Sequence, residues 1–188
     1  MNPFCKRPFV HFFSDAFQMM QPCCIAHCKH PYKNNDDAQF NAVHLSEGVY
    51  KFYTSEQMKE LRSDMLKDDP LTPLVKDVCR NCIEMEEKGL PSLRKQLGEV
   101  DALGRVLEIK MKIFGNKCNL RCYMCNLKNS STRQQQAEKL IDYNPKVSEF
   151  LEYDQVQKFN DEIGGFDLSI NNPDLFNKII EDFKKLSK

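Results

Sequence analysis

Nine cysteines in 188 residues constrain this chain more than its hydrophobic pattern does. Three of them, Cys118, Cys122 and Cys125, stand in the run Cys-Asn-Leu-Arg-Cys-Tyr-Met-Cys, a C-x₃-C-x₂-C spacing. Three thiolates that close on one loop can hold three corners of a cubane iron–sulfur cluster. The fourth iron is then open to a small molecule. Structural zinc also accepts short cysteine spacings, so a pair of these thiols as zinc ligands is the competing reading.

A second set lies upstream. Cys79-Arg-Asn-Cys82 is a C-x₂-C pair whose thiols would share one face of a helix. Cys5 sits in a phenylalanine-rich start, and Cys23-Cys24 follows Pro22. Cys5, Cys23, Cys79 and Cys82 together could form a four-thiolate site, structural or electron-relaying, with no open corner. Cys24, Cys28 and His27 are spare candidates. The plainer alternative makes two or three of these small buried apolar residues. Zinc competes with iron for such a site because both accept soft ligands. One zinc shared between Cys79/Cys82 and Cys122/Cys125 fits poorly, since the gap exceeds the roughly 15–20 residues usual in a zinc ribbon. A simple electron carrier is a further possibility.

An odd number of cysteines suits metal ligation in a reducing compartment better than a disulfide framework. The N-terminus is aromatic but broken by prolines and charges, unlike a signal peptide, and no apolar run reaches transmembrane length. A cytoplasmic, membrane-free protein is the expectation. Lys plus Arg equals Asp plus Glu, 27 each. That balance gives no electrostatic argument for nucleic acid. Lys6, Arg7, Lys29, His30 and Lys33 are candidates for a small basic patch, with an ordinary solvated face as the alternative. His11 and His44 read as packing or surface residues.

Periodicity places the elements. Val10 to Phe13 reads as a short strand, a second strand enters Cys23, and 34–37 reads as a loop. Thr54-Ser-Glu-Gln57 has capping-box spacing ahead of Met58, Leu61 and Met65, predicting a helix over 54–67 that prolines 70 and 73 end. A second helix is expected from Pro73 or Cys79 to Lys88, stopped at Gly89, and a third over 92–99. Residues 106–114 alternate strictly, with Leu107, Ile109, Met111 and Ile113 on one face. Helices are expected over 133–141 and 147–163, a strand over 166–170, and a last helix from Asn172-Pro173-Asp174 with an apolar stripe through Ile179, Ile180 and Phe183. Strand, cysteine loop, helix, strand, helix suggests parallel βα units.

At this point the residues resemble the radical S-adenosylmethionine superfamily. The run Gly115-Asn116-Lys117-Cys118 to Cys125-Asn126 is similar to that family's cluster loop. Three upstream pieces resemble the "twitch" auxiliary-cluster domain of phage and bacterial members: Phe4-Cys5 with Pro22-Cys23-Cys24, then residues 55–62, then Cys79-Arg-Asn-Cys82 with Glu86, Gly89, Ser92 and Arg94. The resemblance implies a [4Fe–4S] cluster on Cys118, Cys122 and Cys125 and an auxiliary site on Cys5, Cys23, Cys79 and Cys82. S-adenosylmethionine would chelate the open iron, with Asn126 and Asn172 as its contacts, and its reductive cleavage would start radical chemistry on a substrate. The implied fold is α/β: a twitch-like α+β part over 1–100, then the first two βα units of an incomplete parallel barrel over 101–188.

The family's Gly-Gly-Glu-Pro strand falls on Ile170-Asn171-Asn172-Pro173, so an uncharged Asn replaces the Glu that meets the methionine ammonium. Met124 stands at a position often aromatic in the family, and no glycine precedes Pro22 in Ser14-Asp-Ala-Phe-Gln. Few residues follow Cys125 for a barrel. Two expectations follow: a radical enzyme completed by a protein partner that covers the open βα edge, or a non-catalytic binding protein stabilised by iron–sulfur or zinc.

Overall fold

The computed structural model describes residues 4–67, 71–96, 108–112, 127, 130–148 and 173–186. It is a mixed α/β structure built on one four-stranded sheet. A four-residue helix, α1 (Arg7–Val10), runs straight into β1 (His11–Ser14). β2 (Met19–Gln21) returns antiparallel, and β3 (Val43–His44) pairs antiparallel beyond it. On the other side β4 (Glu108–Met111) lies parallel to β1, with His11 opposite Glu108 and Ser14 opposite Met111. The order is therefore β3-β2-β1-β4, and residues from both sides of position 100 share the sheet.

The β1–β2 turn explains how the chain manages without a glycine there. Gln18 takes φ +57°, in the left-handed region. Such a conformation costs roughly 1–2 kcal/mol for a side chain with a Cβ. Asp15 offsets it: its Oδ1 accepts from the backbone of Phe17 at 3.0 Å and of Met19 at 3.1 Å. Its Oδ2 accepts from Lys33 Nζ at 3.0 Å and lies 2.9 Å from His30 Nε2.

Phe12 is the centre of the core. It points from β1 into edge-on contact with Phe52 and with Phe183, ring centroids 6.4 and 5.4 Å apart. Met20, Phe40, Leu45, Val49, Met58, Leu61, Val75 and Ile179 close around it. The helices that supply these are α2 (Val49–Tyr53), α3 (Glu56–Met65), α4 (Pro73–Val78) and, from the far end of the chain, α7 (Pro173–Leu186). The stripe on α7 is thus covered by its own chain: Ile179 is buried, Phe183 is half-buried, and Asp182 Oδ2 accepts from the Tyr50 backbone at 3.2 Å. Ile180 lies at the margin, 40% exposed.

Several expected elements differ. The capping box at 54–57 does not form. Thr54 Oγ1 donates to the Tyr50 carbonyl at the end of α2, and Ser55 caps α3 by accepting from Met58 N at 3.4 Å. Gln57 reaches across to both backbone groups of Asn41. The helix expected up to Lys88 is two: α4, capped by Thr72, and α5 (Arg80–Glu87), broken at Cys79. Gly89, at φ +70°, follows α5 as expected. Residues 93–96 form a turn and not the start of a helix, because the Ser92 hydroxyl is drawn to Glu86 at 2.5 Å and does not cap. α6 (Ser131–Tyr143) is capped by Ser130. The expected helix beyond 148 and strand over 166–170 lie outside the described residues.

Candidate functional site: a four-cysteine cavity

Three chain segments meet where α1 begins. Cys5 precedes α1, and the Arg7 backbone N–H is directed at its thiol. Cys23 lies in the turn after β2, where the Ile25 backbone meets its sulfur. That turn is tied to α4 and α5 by His27 N donating to Val78 O at 3.0 Å and Asn81 Nδ2 donating to Ile25 O at 2.8 Å. Cys79 sits at the break between α4 and α5, in neither helix, and Cys82 one turn further on donates its N–H to Cys79 O at 3.0 Å. The break lets both thiols turn inward where a continuous helix would have spaced them along its flank.

All four sulfur-bearing residues line one small cavity, together with Arg7, Ile25, Val78, Leu93 and Arg94. Its volume is about 20 Å³, room for roughly one water. Burial pushes the thiols of Cys5, Cys23 and Cys79 upward, Cys23 to about 12, and each feels its neighbours' charge as well. Neutral thiols are therefore the resting form, and a metal centre must displace their protons. Among the described residues no group of three or more His, Cys, Asp or Glu side chains is arranged to hold a metal ion as the side chains stand.

The spare candidates go elsewhere. Cys28 is buried in the hydrophobic core. Cys24 does not line the cavity. His27 is held by Asp77, Nδ1 to Oδ1 at 3.0 Å, and Asp77 also accepts from Gln39 N and Arg80 Nη2. The six described cysteines are free thiols.

Three of the five candidates for a basic patch are engaged elsewhere. Arg7 is buried, with Nη1 3.9 Å from Glu108 Oε2. His30 is buried against Asp15, and Lys33 pairs with the same carboxylate. Asp15 sits in a dry site that opposes ionisation, yet the bonds from His30 and Lys33 hold its carboxyl below the usual range.

Two arginine contacts escaped the sequence reading. Arg94 meets Glu86 with Nε–Oε1 at 2.6 Å and Nη2–Oε2 at 2.5 Å, the side chains 2% and 1% exposed. That fork, helped by Ser92, outweighs burial and holds Glu86 at about 2. The spacing Glu86, Ser92, Arg94 was the available signal, but nothing in it says that the three touch.

A second feature is a cleft of about 630 Å³ beyond the C-terminal ends of the parallel strands β1 and β4. Phe13, Asp15, Phe17, Lys33, Lys110 and Lys112 are among its walls. Ligands of open parallel sheets bind at this end of the strands. Cys118, Cys122, Cys125 and Asn126, seven to fifteen residues past Met111, and Asn172 lie outside the described residues. No described helix is long and apolar enough to cross a membrane. The chain matches no protein-family model, no curated protein and no solved structure.

Proposed function

We propose that the chain is an iron–sulfur protein of the radical S-adenosylmethionine kind, with a four-thiolate auxiliary site on Cys5, Cys23, Cys79 and Cys82. The observation that carries it is the convergence of these four residues, from three segments, on one cavity. The donor set fits the group: soft sulfur ligands, buried, with positive side chains beside them. When bound, the group supplies one-electron chemistry. The chain's own part is to hold the sulfurs, exclude water and fix the charge around the site.

The second cluster would belong to Cys118, Cys122 and Cys125, which follow β4 in the sequence. The cleft at the strand ends is the place for S-adenosylmethionine, with Asn126 and Asn172 as its polar contacts. Further strands of an incomplete barrel would add outside β4, whose Ile109 is half exposed. A protein partner at that edge is the natural cover, and free thiols fit a cytoplasmic setting.

Anaerobic reconstitution with iron and sulfide, followed by metal analysis, visible spectroscopy and an assay for 5′-deoxyadenosine, tests the reading. Iron with 5′-deoxyadenosine formation is the expected result. A colourless protein that holds zinc, or none of either metal, overturns it. Iron without that product favours the second reading, a non-catalytic metal-stabilised binding protein, which the Asn at position 172 supports.

A further inference from the structure

Two guanidiniums border the four-cysteine cavity, and both carry buried N–H groups that have no hydrogen-bond partner among the described residues. Arg94 gives Nε and Nη2 to Glu86, and its Nη1 has no hydrogen-bond partner. The Arg7 side chain is 7% exposed, and its Nε and Nη1 lack hydrogen-bond partners too. The 3.9 Å approach of Glu108 is a long ion pair, beyond hydrogen-bond reach. An unpaired buried donor is destabilising, and more so when charged. Three such atoms on two residues that line one cavity call for an acceptor inside it.

The acceptor class follows from the rest of the lining. Four thiolates around a [4Fe–4S]²⁺ core carry a net charge of about −2 and present sulfur lone pairs. Two arginines supply the opposite charge and N–H donors. Arg94 lines the same cavity as Cys5, Cys79 and Cys82. Glu86, itself anchored by the Ser92 hydroxyl, holds the guanidinium by one edge, which fixes where the other edge points.

We propose that Arg7 and the Nη1 edge of Arg94 donate hydrogen bonds to the sulfurs of a cluster held by Cys5, Cys23, Cys79 and Cys82, and so raise its reduction potential. Glu86 and Ser92 are positioning residues for that edge. This rests on the iron–sulfur reading of the cavity. Reduction adds one electron, hence one negative charge, to a buried group, and neighbouring cations favour the more negative state.

The test uses the full chain carrying Cys118→Ala, Cys122→Ala and Cys125→Ala, so that one cluster remains. It is reconstituted anaerobically with ferrous iron and sulfide, then titrated with dithionite while the reduced cluster is read by electron paramagnetic resonance. Arg7→Met, Glu86→Gln and the double variant E86M/R94M are compared with that parent. The double variant removes the buried pair as a unit, which a core tolerates better than stranding one charge. Arg7→Met and the double variant should each lower the equilibrium constant for reduction about tenfold, a midpoint shift of about 59 mV to the negative side for one electron. Glu86→Gln should shift the potential and broaden the resonance, because the charge stays while its aim is lost. A parent that takes up no iron overturns the reading of the cavity itself. A loaded parent whose potential is unmoved in Arg7→Met and in the double variant overturns the arginine role alone; if the double variant does not fold, Arg7→Met decides.

Discussion

His11 shows how one side chain couples stability to pH. It starts β1, is almost fully buried, and faces Glu108 at 3.0 Å from Nδ1, with Arg7 and Lys110 close by. Burial dominates, Glu108 opposes it, and the two cations add to burial, so the ring's pKa falls to about 4 from about 6.5. The folded ring stays neutral where the unfolded one takes a proton. Stability should therefore fall as pH drops from about 6.5 towards 4, with no further loss from this group below that. Thermal melts at pH 7, 5.5 and 4.5 check it, and His11→Gln should make the dependence shallower over that window. A wild-type melting temperature flat from pH 7 to 4.5 would contradict the account.

The start of α3 is a second residue-scale case, and it shows where sequence patterns mislead. Thr54-Ser-Glu-Gln57 has the right letters, but the neighbouring helix claims Thr54 and the loop at Asn41 claims Gln57. Local spacing cannot register partners brought in from elsewhere in the fold. Ser55→Ala should cost about 1 kcal/mol, the usual loss of a cap. Thr54→Ala, whose hydroxyl sits on an exposed helix end, should cost less than about half of that. Urea unfolding of both variants separates the two assignments, and a larger loss at Thr54 would reverse them.

At the scale of elements, strands and caps were legible where a pattern is local. β1, the alternation around β4, the stop at Gly89 and the start at Pro173 all follow from periodicity or backbone preference. The start near Cys79 was one of two readings of the helix that ends at Lys88, but that a separate helix fills Pro73–Val78 before it was not legible, since nothing in Asp77-Val78-Cys79-Arg80 disfavours a continuous helix. Nor did the stripe on α7 say what would cover it. The structure puts Ile179 in the core at 2% exposure and leaves Ile180 at the margin. Ile179→Ala should cost about 2–5 kcal/mol, and Ile180→Ala within about 0.5 kcal/mol. Equal effects by denaturant titration would mean that α7 does not seat as described.

For the whole molecule, the question is what joins segments 5, 23 and 79–82, far apart in sequence. The core alone brings them close: Arg62 donates to the carbonyls of Pro8 and Tyr53 and stacks on the Tyr53 ring, and the Tyr53 hydroxyl donates to Phe9 O. These contacts fasten α1, and with it Cys5, to α2 and α3 before any metal is present. The cavity is then formed by the fold, and its protonated thiols are what a metal centre must compete with. Iron uptake should therefore strengthen from pH 6.5 to 8.5, as each incoming thiolate releases a proton. Loading should raise the melting temperature, because the group binds the folded chain and not the unfolded one. Cys5→Ser and Cys82→Ser should each lose the iron of this site, and Cys24→Ser, away from the cavity, should keep it. Uptake indifferent to pH, or iron retained in Cys5→Ser and lost in Cys24→Ser, would place the metal on a different set of sulfurs and detach the cavity from the function.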